Sequence, residues 1–430
     1  MSQAGVSLST DVSGTSRAVL APPAWIFAFL VIPSAVFRHG FAFTALGSLL
    51  RTDGMKVDEI ANVVAMFALP QMLYFVWSPL VDFWLKRRTW VAVSSVGAGA
   101  LLGIAMQAKH LGTALPEALL LLGMCVVMVS VAGLGGLMAE VLPAERKTRA
   151  SAFNQGGNLG FGALAGGGVL YLSEHMGRRE FGIACGLLVA APGLLALLVS
   201  ETGPVGDGEV LGSALRRMGR EFQVTFFKWE ARPVLLILVA PLGSGAAIGL
   251  LPGLAPDHGV SVNRVAWMNG LGGGLLTALG ALLVGFVQLP DDMRMVYSAA
   301  GLLNALTLGI LIIGPPSVIA YLVAVALYMV SVGAVYALVI ALALKLLGQA
   351  GKSGGSRYAI VLSLANFPVW YMTVVDGLGA RWFGVKGLPG IDMVVSGASA
   401  IAFMGWFWWE RRQGIKVELG LSGVSELGSA

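Results

Sequence analysis

Two adjacent residues that can carry charge, Arg38 and His39, lie within an apolar stretch of the sequence. A guanidinium in the middle of a membrane-spanning segment costs free energy, so it is retained only where it faces water, a partner or a ligand. Arg38 therefore predicts either a binding site for an anionic group or a structural ion pair with an inward-facing carboxylate. His39 fits either a proton carrier or a buried, hydrogen-bonded histidine.

Two carboxylates within or at the end of apolar stretches are candidates for proton transfer. Asp376 follows Trp370 and Tyr371 within one stretch, and it is predicted either to carry a proton or to form a salt bridge with Arg38. Glu140 ends another stretch close to a basic cluster. It is predicted to pair with those cations or to carry protons.

Amides and aromatic residues on other apolar stretches could line a path for a solute. Asn154 and Asn158 are four residues apart, so they share one face of a helix. Tyr321, Tyr328 and Tyr336 also align, and Tyr328, the deepest, is predicted either to stack on the solute or to serve packing and interface anchoring. The other candidates for lining the path are Tyr74, Asn269, Asn304, Asn366, Trp370 and Tyr371.

The composition places these residues in a membrane protein. Of the 430 residues, 57% are hydrophobic and 12% are charged, and the mean hydropathy is +0.80. This leaves too little polar surface to cover a soluble globule. Long apolar runs without two-residue alternation predict helices rather than a barrel. They predict an all-α membrane protein with twelve transmembrane helices at residues 25–50, 57–81, 90–107, 116–140, 150–173, 181–200, 233–255, 265–289, 295–314, 318–345, 358–382 and 391–409.

Lysines and arginines in the loops predict the orientation of the chain. Most of the 28 cations fall on one side if the N-terminus is cytoplasmic. Both termini are therefore predicted to lie in the cytoplasm, in a bacterial inner membrane. The net charge of +5 then reflects topology and does not indicate nucleic-acid binding. Cys125 and Cys185 lie within apolar runs, so no disulfide, metal or other cofactor is indicated. We also expect a monomer in the lipid bilayer.

The chain divides into two halves of six predicted helices. Arg149 and Arg357 begin the fifth and the eleventh helix 208 residues apart, and Asn158 and Asn366 keep the same offset. This shared register predicts a duplicated six-helix unit. The predicted units are a tail at 1–24, a bundle at 25–200, a linker with an amphipathic helix at 201–232, a bundle at 233–410 and a tail at 411–430.

Glycines and prolines indicate where helices pack closely or break. The fifth predicted helix is rich in glycine between residues 156 and 168, which lets a neighbouring helix approach closely. The seventh carries Pro241, Gly243, Gly245 and Pro252, so it is predicted to be bent or broken.

A basic cluster follows the second predicted helix in the sequence SPLVDFWLKRR. Its spacing of Leu80, Asp82, Lys86 and Arg87 resembles the gating motif of the major facilitator superfamily, Gly-x-Leu-x-Asp followed by a basic pair. Serine and leucine replace the two glycines of that motif. The resemblance implies two six-helix bundles that rock about a central site. The residues that it implies for the cytoplasmic gate are Asp82, Lys86, Arg87, Arg88, Arg149 and Arg357.

The first two predicted helices resemble one branch of that superfamily more closely. The segment FTALGSLLRTDGMKVDEI, followed by LPQMLYFVWSPLVD, is similar to muropeptide permeases, acetyl-coenzyme A transporters and ferric-siderophore permeases. Leu69, Pro70 and Trp77 fit the pattern of the branch, whereas Tyr74 occupies the position of its usual lysine. Arg38 could supply the cation that is absent there.

The resemblance implies a secondary transporter that works by alternating access, and not an enzyme. We expect a proton-coupled importer of an anionic or zwitterionic solute of medium size, of the ferric-siderophore or muropeptide type. Exporters of the superfamily usually carry a Gly-Pro pair in the fifth helix, which this sequence lacks. The alternatives are an exporter or an acetyl-coenzyme A-type carrier on the same fold, or a membrane-embedded transferase or sensor.

Overall fold

The computed structural model describes residues 22–77, 80–81, 85–142, 144–201, 212–213, 216, 219, 232–285, 293–347, 361 and 363–413. Each of the predicted membrane spans contains helix within these ranges. The predicted linker helix lies largely outside them, as do most of both tails.

The N-terminal half contains six spans. The first is interrupted, with helices at Ile26–Leu30 and Ile32–Ser34, a π-helix at Ala35–Ala45 and a helix at Leu46–Thr52. The second consists of Val57–Met72 and Tyr74–Trp77. The third to sixth spans are Arg87–Ala105, Ala114–Val141, Ala144–His175 and Arg178–Gly193, and a 3-10 turn at Leu194–Leu198 follows the sixth.

The C-terminal half repeats this order. The seventh span contains Arg232–Val239, a 3-10 turn at Ala246–Gly249 and Leu251–Leu254. The eighth contains Val262–Val265, a π-helix at Ala266–Gly272 and Gly273–Gly285. The ninth to twelfth spans contain the α-helices Arg294–Leu308, Val318–Leu347, Phe367–Phe383 and Gly387–Arg412.

Length and hydropathy mark eight helical segments as able to cross a membrane, within the described residues. One of them, Ser363–Arg412, contains both the eleventh and the twelfth span. The second and seventh spans do not qualify because their helices are short, and the fifth because glycine and polar residues lower its hydropathy. The fold is therefore an all-α membrane fold of two six-helix bundles, as predicted.

The first span departs from the regular helix that its apolar sequence predicts. Ala35–Ala45 is a π-helix, in which each backbone hydrogen bond spans five residues instead of the four of an α-helix. The Thr44 hydroxyl donates to the His39 carbonyl oxygen over 2.8 Å, which satisfies one carbonyl within this wider turn. Arg38 and His39 both belong to this segment, and π-helical turns frequently occur at functional sites.

The break predicted in the seventh span is confirmed. Its first helix ends at Val239, and the backbone reaches left-handed φ angles of 60° at Gly243 and 75° at Gly245. A side chain at Gly245 would meet the Tyr336 hydroxyl of the tenth span. Glycine is required there both by the backbone angle and by the tyrosine, so the break brings the seventh and tenth spans together.

Three pairs of spans join the two bundles through small residues. Gly167 of the fifth span lies against Ala266 and Gly270 of the eighth. Gly47 of the first span lies against Gly249 of the seventh. The eleventh span packs on the second, where Gly377 contacts Ala61 and the backbone of Asp58. Because glycine has no side chain, these backbones approach closely, as membrane helices do at small residues.

An ion pair also crosses between the bundles. Arg51, at the end of the first span, donates from Nη2 to Asp257, with Oδ1 at 3.0 Å and Oδ2 at 3.2 Å. We call this end of the bundles the Arg51 end. The opposite end, which carries Lys86, Arg87 and Arg88, is called the Arg87 end. Gly47, Gly249 and Asp58 lie within two or three turns of the Arg51 end, so contact between the bundles is close there.

Candidate functional site

Arg38 is held by a neutral side chain from the second span. Its Nε and Nη2 both donate to Oε1 of Gln71, over 3.2 and 2.7 Å. Gln71 follows Pro70 near the end of Val57–Met72, and its side chain is buried. Within the described part of the chain, the Gln71 Nε2 atom has no hydrogen-bond partner. The amide oxygen therefore compensates the guanidinium only in part, because it carries no formal charge.

Arg38 also faces the opposite bundle. Its charge lies within electrostatic range of the hydroxyl groups of Tyr74, on the second span, and Tyr336, on the tenth. Arg38 and Tyr74 are partly exposed, and Tyr336 is 37% exposed. Arg38 lies 13 residues before Arg51 in the same span, or about 20 Å along the helix axis. The guanidinium is thus at mid-span depth, accessible, and at the boundary between the bundles.

His39 points to the fifth span instead. The Asn158 side-chain nitrogen lies 3.1 Å from Nε2 of His39, so the amide donates to this atom when the ring carries its proton on Nδ1. Gly162 lies against the His39 Cβ atom, which allows the fifth span to approach the π-helix. Asn154, one turn before Asn158, is partly exposed. His39 and Asn158 therefore form one polar contact between the first and fifth spans.

Asp376 does not pair with Arg38 in this structure. Its side chain is fully buried, and neither of its carboxylate oxygens has a hydrogen-bond partner among the described residues. The salt bridge with Arg38, one of the two sequence-based interpretations of Asp376, is therefore absent here, and Gln71 holds the arginine instead. Proton transfer by Asp376 stays a prediction.

Several predicted path residues lie inside the C-terminal bundle. The Asn269 side-chain oxygen accepts from the Tyr321 hydroxyl over 3.1 Å, and Asn304 donates to the Ser331 hydroxyl over 2.8 Å. Tyr328 is fully buried. In this conformation these side chains contact protein groups, and their contact with a solute stays a prediction.

The eleventh span places its predicted residues at the bundle boundary. Asn366 precedes the first turn of Phe367–Phe383. Trp370 and Tyr371 are partly exposed, and both rings pack on Phe367. The Tyr371 hydroxyl donates to the carbonyl oxygen of Val239, where the helix of the seventh span ends. These residues therefore border the same break that Tyr336 touches.

The basic cluster at the Arg87 end forms a network with two carboxylates. Arg87 donates to Glu140 over 2.6 Å, which agrees with the predicted pairing of Glu140 with this cluster. The two Glu201 carboxylate oxygens accept from the backbone nitrogens of Arg87 and Arg88, over 3.0 and 3.1 Å. Lys86 donates to the Glu201 carbonyl oxygen. Glu201 thus stabilises the N-terminus of the third span, where a negative charge is favourable.

The remaining predicted gate residues are less fully described. Asp82 and Arg357 lie outside the described residues. Arg149 lies on the helix Ala144–His175, and its side chain is outside the described part of that helix. Gating by these three residues therefore stays a prediction.

Sequence analysis did not select Gln71, Tyr336, Glu201 or Asp392 as site residues. An amide next to Pro70 in an apolar span was the available signal for Gln71. Tyr336 shares its spacing with Tyr328, but spacing does not show which of the two faces the other bundle. Asp392 lies in the predicted twelfth span, where a carboxylate is as costly as it is at Asp376.

No known protein-family profile matches the sequence. Solved structures of similar fold include a D-xylose–proton symporter, with a TM-score of 0.64 at 13% identity over 88% of this chain and 95% of that chain. The nucleoside transporter NupG gives 0.65 at 13% identity, over 89% and 98% of the two chains. A POT family transporter in complex with a thioalcohol-conjugated peptide gives 0.66 at 11% identity, over 91% and 96%. The chain has the major facilitator fold.

The position of Arg38 can be compared with the place where solutes bind in transporters of similar architecture. In transporters built from repeated bundles, solute sites lie near mid-membrane where the repeats meet. Arg38, Tyr74 and Tyr336 meet that description in the major facilitator fold of this chain, because they are accessible and come from both bundles. Together they form the candidate site.

Proposed function

We propose that the protein is a proton-coupled secondary transporter that imports an anionic or zwitterionic solute of medium size by alternating access. The solute is of the ferric-siderophore or muropeptide type. The protein lies in a bacterial inner membrane with both termini in the cytoplasm. The transporters among the structures of similar fold support a carrier rather than an enzyme.

The observation that carries the proposal is the contact between Arg38 and Gln71. A guanidinium at mid-span is costly, and here its hydrogen-bond partner is an uncharged amide rather than a carboxylate. The guanidinium already makes a charge-assisted hydrogen bond to Gln71, but an anion would add the Coulomb attraction between opposite charges, which the uncharged amide oxygen lacks. A carboxylate or hydroxamate-type anion of the solute would therefore replace the Gln71 oxygen with a gain in free energy.

The surroundings of Arg38 suit an organic solute rather than an inorganic ion. Tyr74, Tyr336, Trp370 and Tyr371 are partly exposed or exposed near the bundle boundary, and aromatic rings supply apolar contact area together with a polar group. A cation bordered by aromatic side chains fits a solute with an anionic group on a larger, partly apolar body. Both proposed solute types have this character.

Counterflow in proteoliposomes tests the proposal. Vesicles are loaded with an unlabelled ferric siderophore or an unlabelled muropeptide, and entry of the labelled compound is followed. A carrier accumulates label by exchange, an enzyme converts it, and a sensor only binds it. We expect exchange for wild type and at least a tenfold loss for Arg38→Ala, since a charge-assisted contact is removed.

Arg264→Ala is the matched control, because Arg264 is an exposed arginine at the Arg51 end of the eighth span. This variant should exchange like wild type. If neither compound exchanges, while a broader panel of anions does, the solute type is wrong and the carrier stands. If Arg38→Ala exchanges as fast as wild type, Arg38 is not the anchor.

A further inference from the structure

A second polar cluster lies inside the C-terminal bundle, apart from Arg38. Asp376 of the eleventh span, Asp392 of the twelfth and Tyr328 of the tenth are 0%, 1% and 0% exposed. The two carboxyl groups lie within electrostatic range of each other and of the Tyr328 hydroxyl. Three spans thus bring three titratable groups together in an enclosed position.

The cluster is short of hydrogen-bond partners. Oδ1 of Asp392 accepts from the Ser396 hydroxyl over 2.6 Å, but its Oδ2 atom has no partner among the described residues. Both oxygens of Asp376 and the Tyr328 hydroxyl also have no partner within the described ranges. The backbone of Ala247 lies near the tyrosine oxygen. A buried phenol without a partner, beside two carboxyl groups, indicates that something small completes the site.

Within the part of the chain that the structure describes, no cation on the neighbouring elements pairs with these carboxyl groups. Arg294 and Glu410 pair with each other at the Arg87 end, far along the ninth and twelfth spans from Asp392. Lys386, in the turn before the twelfth span, donates to the Ile312 carbonyl oxygen. The second span contributes further negative groups, Asp58 and Glu59, at its beginning. Two adjacent carboxylates in such surroundings cannot both be ionised without a large cost in free energy.

We propose that Asp376, Asp392 and Tyr328 form a proton-binding site in which one of the two carboxyl groups carries a proton, close to the other carboxyl group and to the Tyr328 hydroxyl. The role of this site, which is to hold the proton that is transported with the solute, rests on the proposed function. Binding converts one carboxylate and a hydronium ion into a carboxylic acid and water, and release reverses this. Within the described residues no group of three or more His, Cys, Asp or Glu side chains could hold a metal ion.

The position of the site suggests how proton release is coupled to movement. Gly377, next to Asp376, packs on Ala61 and on the Asp58 backbone of the opposite bundle. This contact closes the eleventh span against the second near the Arg51 end. Separation of the two spans there would admit water beside Asp376. The proton would therefore exchange with the side on which the Arg51 end opens, while the solute occupies a different place beside Arg38.

Infrared spectroscopy of the full-length protein in detergent tests the proton site without any solute. A protonated carboxyl group gives a C=O stretching band, which is followed as the pH is raised from acidic to alkaline. We expect wild type to keep such a band at neutral pH. Asp376→Asn and Asp392→Asn should each remove or shift it, and Tyr328→Phe should shift it by removing the polar hydroxyl group near the carboxyl groups. Glu174→Gln, which changes an exposed carboxylate, should leave it unchanged.

A conservative variant controls for misfolding. Titration in two different salts distinguishes proton binding from sodium binding. Asp376→Glu should fold and keep a shifted band. The wild-type titration should be the same in sodium chloride and in choline chloride. A band that is unchanged in both asparagine variants overturns the proposal, and so does a band that only sodium removes. Because no solute is present, the site can stand even if counterflow fails.

Discussion

The two bundles hold the ionisable groups within their spans in opposite ways. In the N-terminal bundle a mid-span cation, Arg38, is bound by an uncharged amide. In the C-terminal bundle two buried carboxyl groups, Asp376 and Asp392, lie near a tyrosine, and neither has a cation partner among the residues that the structure describes. The first arrangement favours an anion and the second favours a proton. If each bundle binds one of the two, the movement of one bundle against the other couples them.

At the Arg87 end, the two repeats also differ in how they use a glutamate. Glu201, just after the sixth span, is buried, and its carboxylate accepts from backbone nitrogens at the start of the third span. Glu410, at the end of the twelfth span, lies 3.0 Å from Arg294 at the start of the ninth, and both side chains are buried. The Arg294 guanidinium also stacks on the Phe407 ring, 4.4 Å from its centroid. One repeat uses the carboxylate as a helix cap and the other as half of a buried ion pair.

The largest expected effect tests this contrast directly. Glu410→Gln removes the carboxylate opposite a buried guanidinium, which typically costs about 3–5 kcal/mol of stability. Glu201→Gln keeps an acceptor at the helix N-terminus, so a loss of about 1 kcal/mol is expected. Thermal unfolding of both variants in detergent, with the exposed-site variant Glu174→Gln as control, measures the difference. Equal losses would show that the two repeats use the glutamates alike.

A smaller effect should follow from giving Arg38 a charged partner. Gln71→Glu places a carboxylate where the amide oxygen now accepts from Nε and Nη2. This internal anion competes with an anionic solute, so the dissociation constant should rise about tenfold, or about 1.4 kcal/mol. Gln71→Met, of similar size and without charge, is the control, and it should bind the solute at least as tightly as Gln71→Glu does. Tighter binding by Gln71→Glu than by wild type would contradict an anionic solute.

The smallest expected effect concerns the ion pair that joins the bundles. Arg51 and Asp257 are partly exposed, so their coupling energy in a double-mutant cycle should be only about 0.2–1 kcal/mol. The readout is thermal unfolding of Arg51→Gln, Asp257→Asn and the double variant, at low and at high salt. We expect the coupling to shrink in high salt because the pair is accessible. A coupling energy well above this range that does not fall in high salt would contradict this expectation, and it would show that the ion pair contributes substantially to stability.

The membrane spans could be predicted from the sequence because each apolar run is long enough to cross a bilayer. The break in the seventh span followed from its glycines and prolines. The π-helix at Ala35–Ala45 could not be predicted, since its apolar residues suit either kind of helix. The duplicated halves were visible in spacings such as that of Asn158 and Asn366.

The site was less predictable than the fold. Arg38 could be selected from the sequence because a charged side chain in an apolar span costs free energy. Its partner Gln71 could not be selected, because that contact depends on how the second span packs on the first, which hydropathy does not encode. The prediction selected Tyr328 from an aligned set, yet Tyr328 is fully buried and Tyr336 is 37% exposed near Arg38. Burial of this kind is decided by the packing of three helices and not by the spacing within one.

The most direct test of the account is a thermal-shift screen of ferric siderophores and muropeptides against wild type and Arg38→Ala, with Arg264→Ala as control. The account predicts that at least one anionic compound raises the unfolding temperature of wild type and of Arg264→Ala but leaves Arg38→Ala unchanged. A compound that stabilises all three proteins equally would contradict the role of Arg38 as the anchor of the solute.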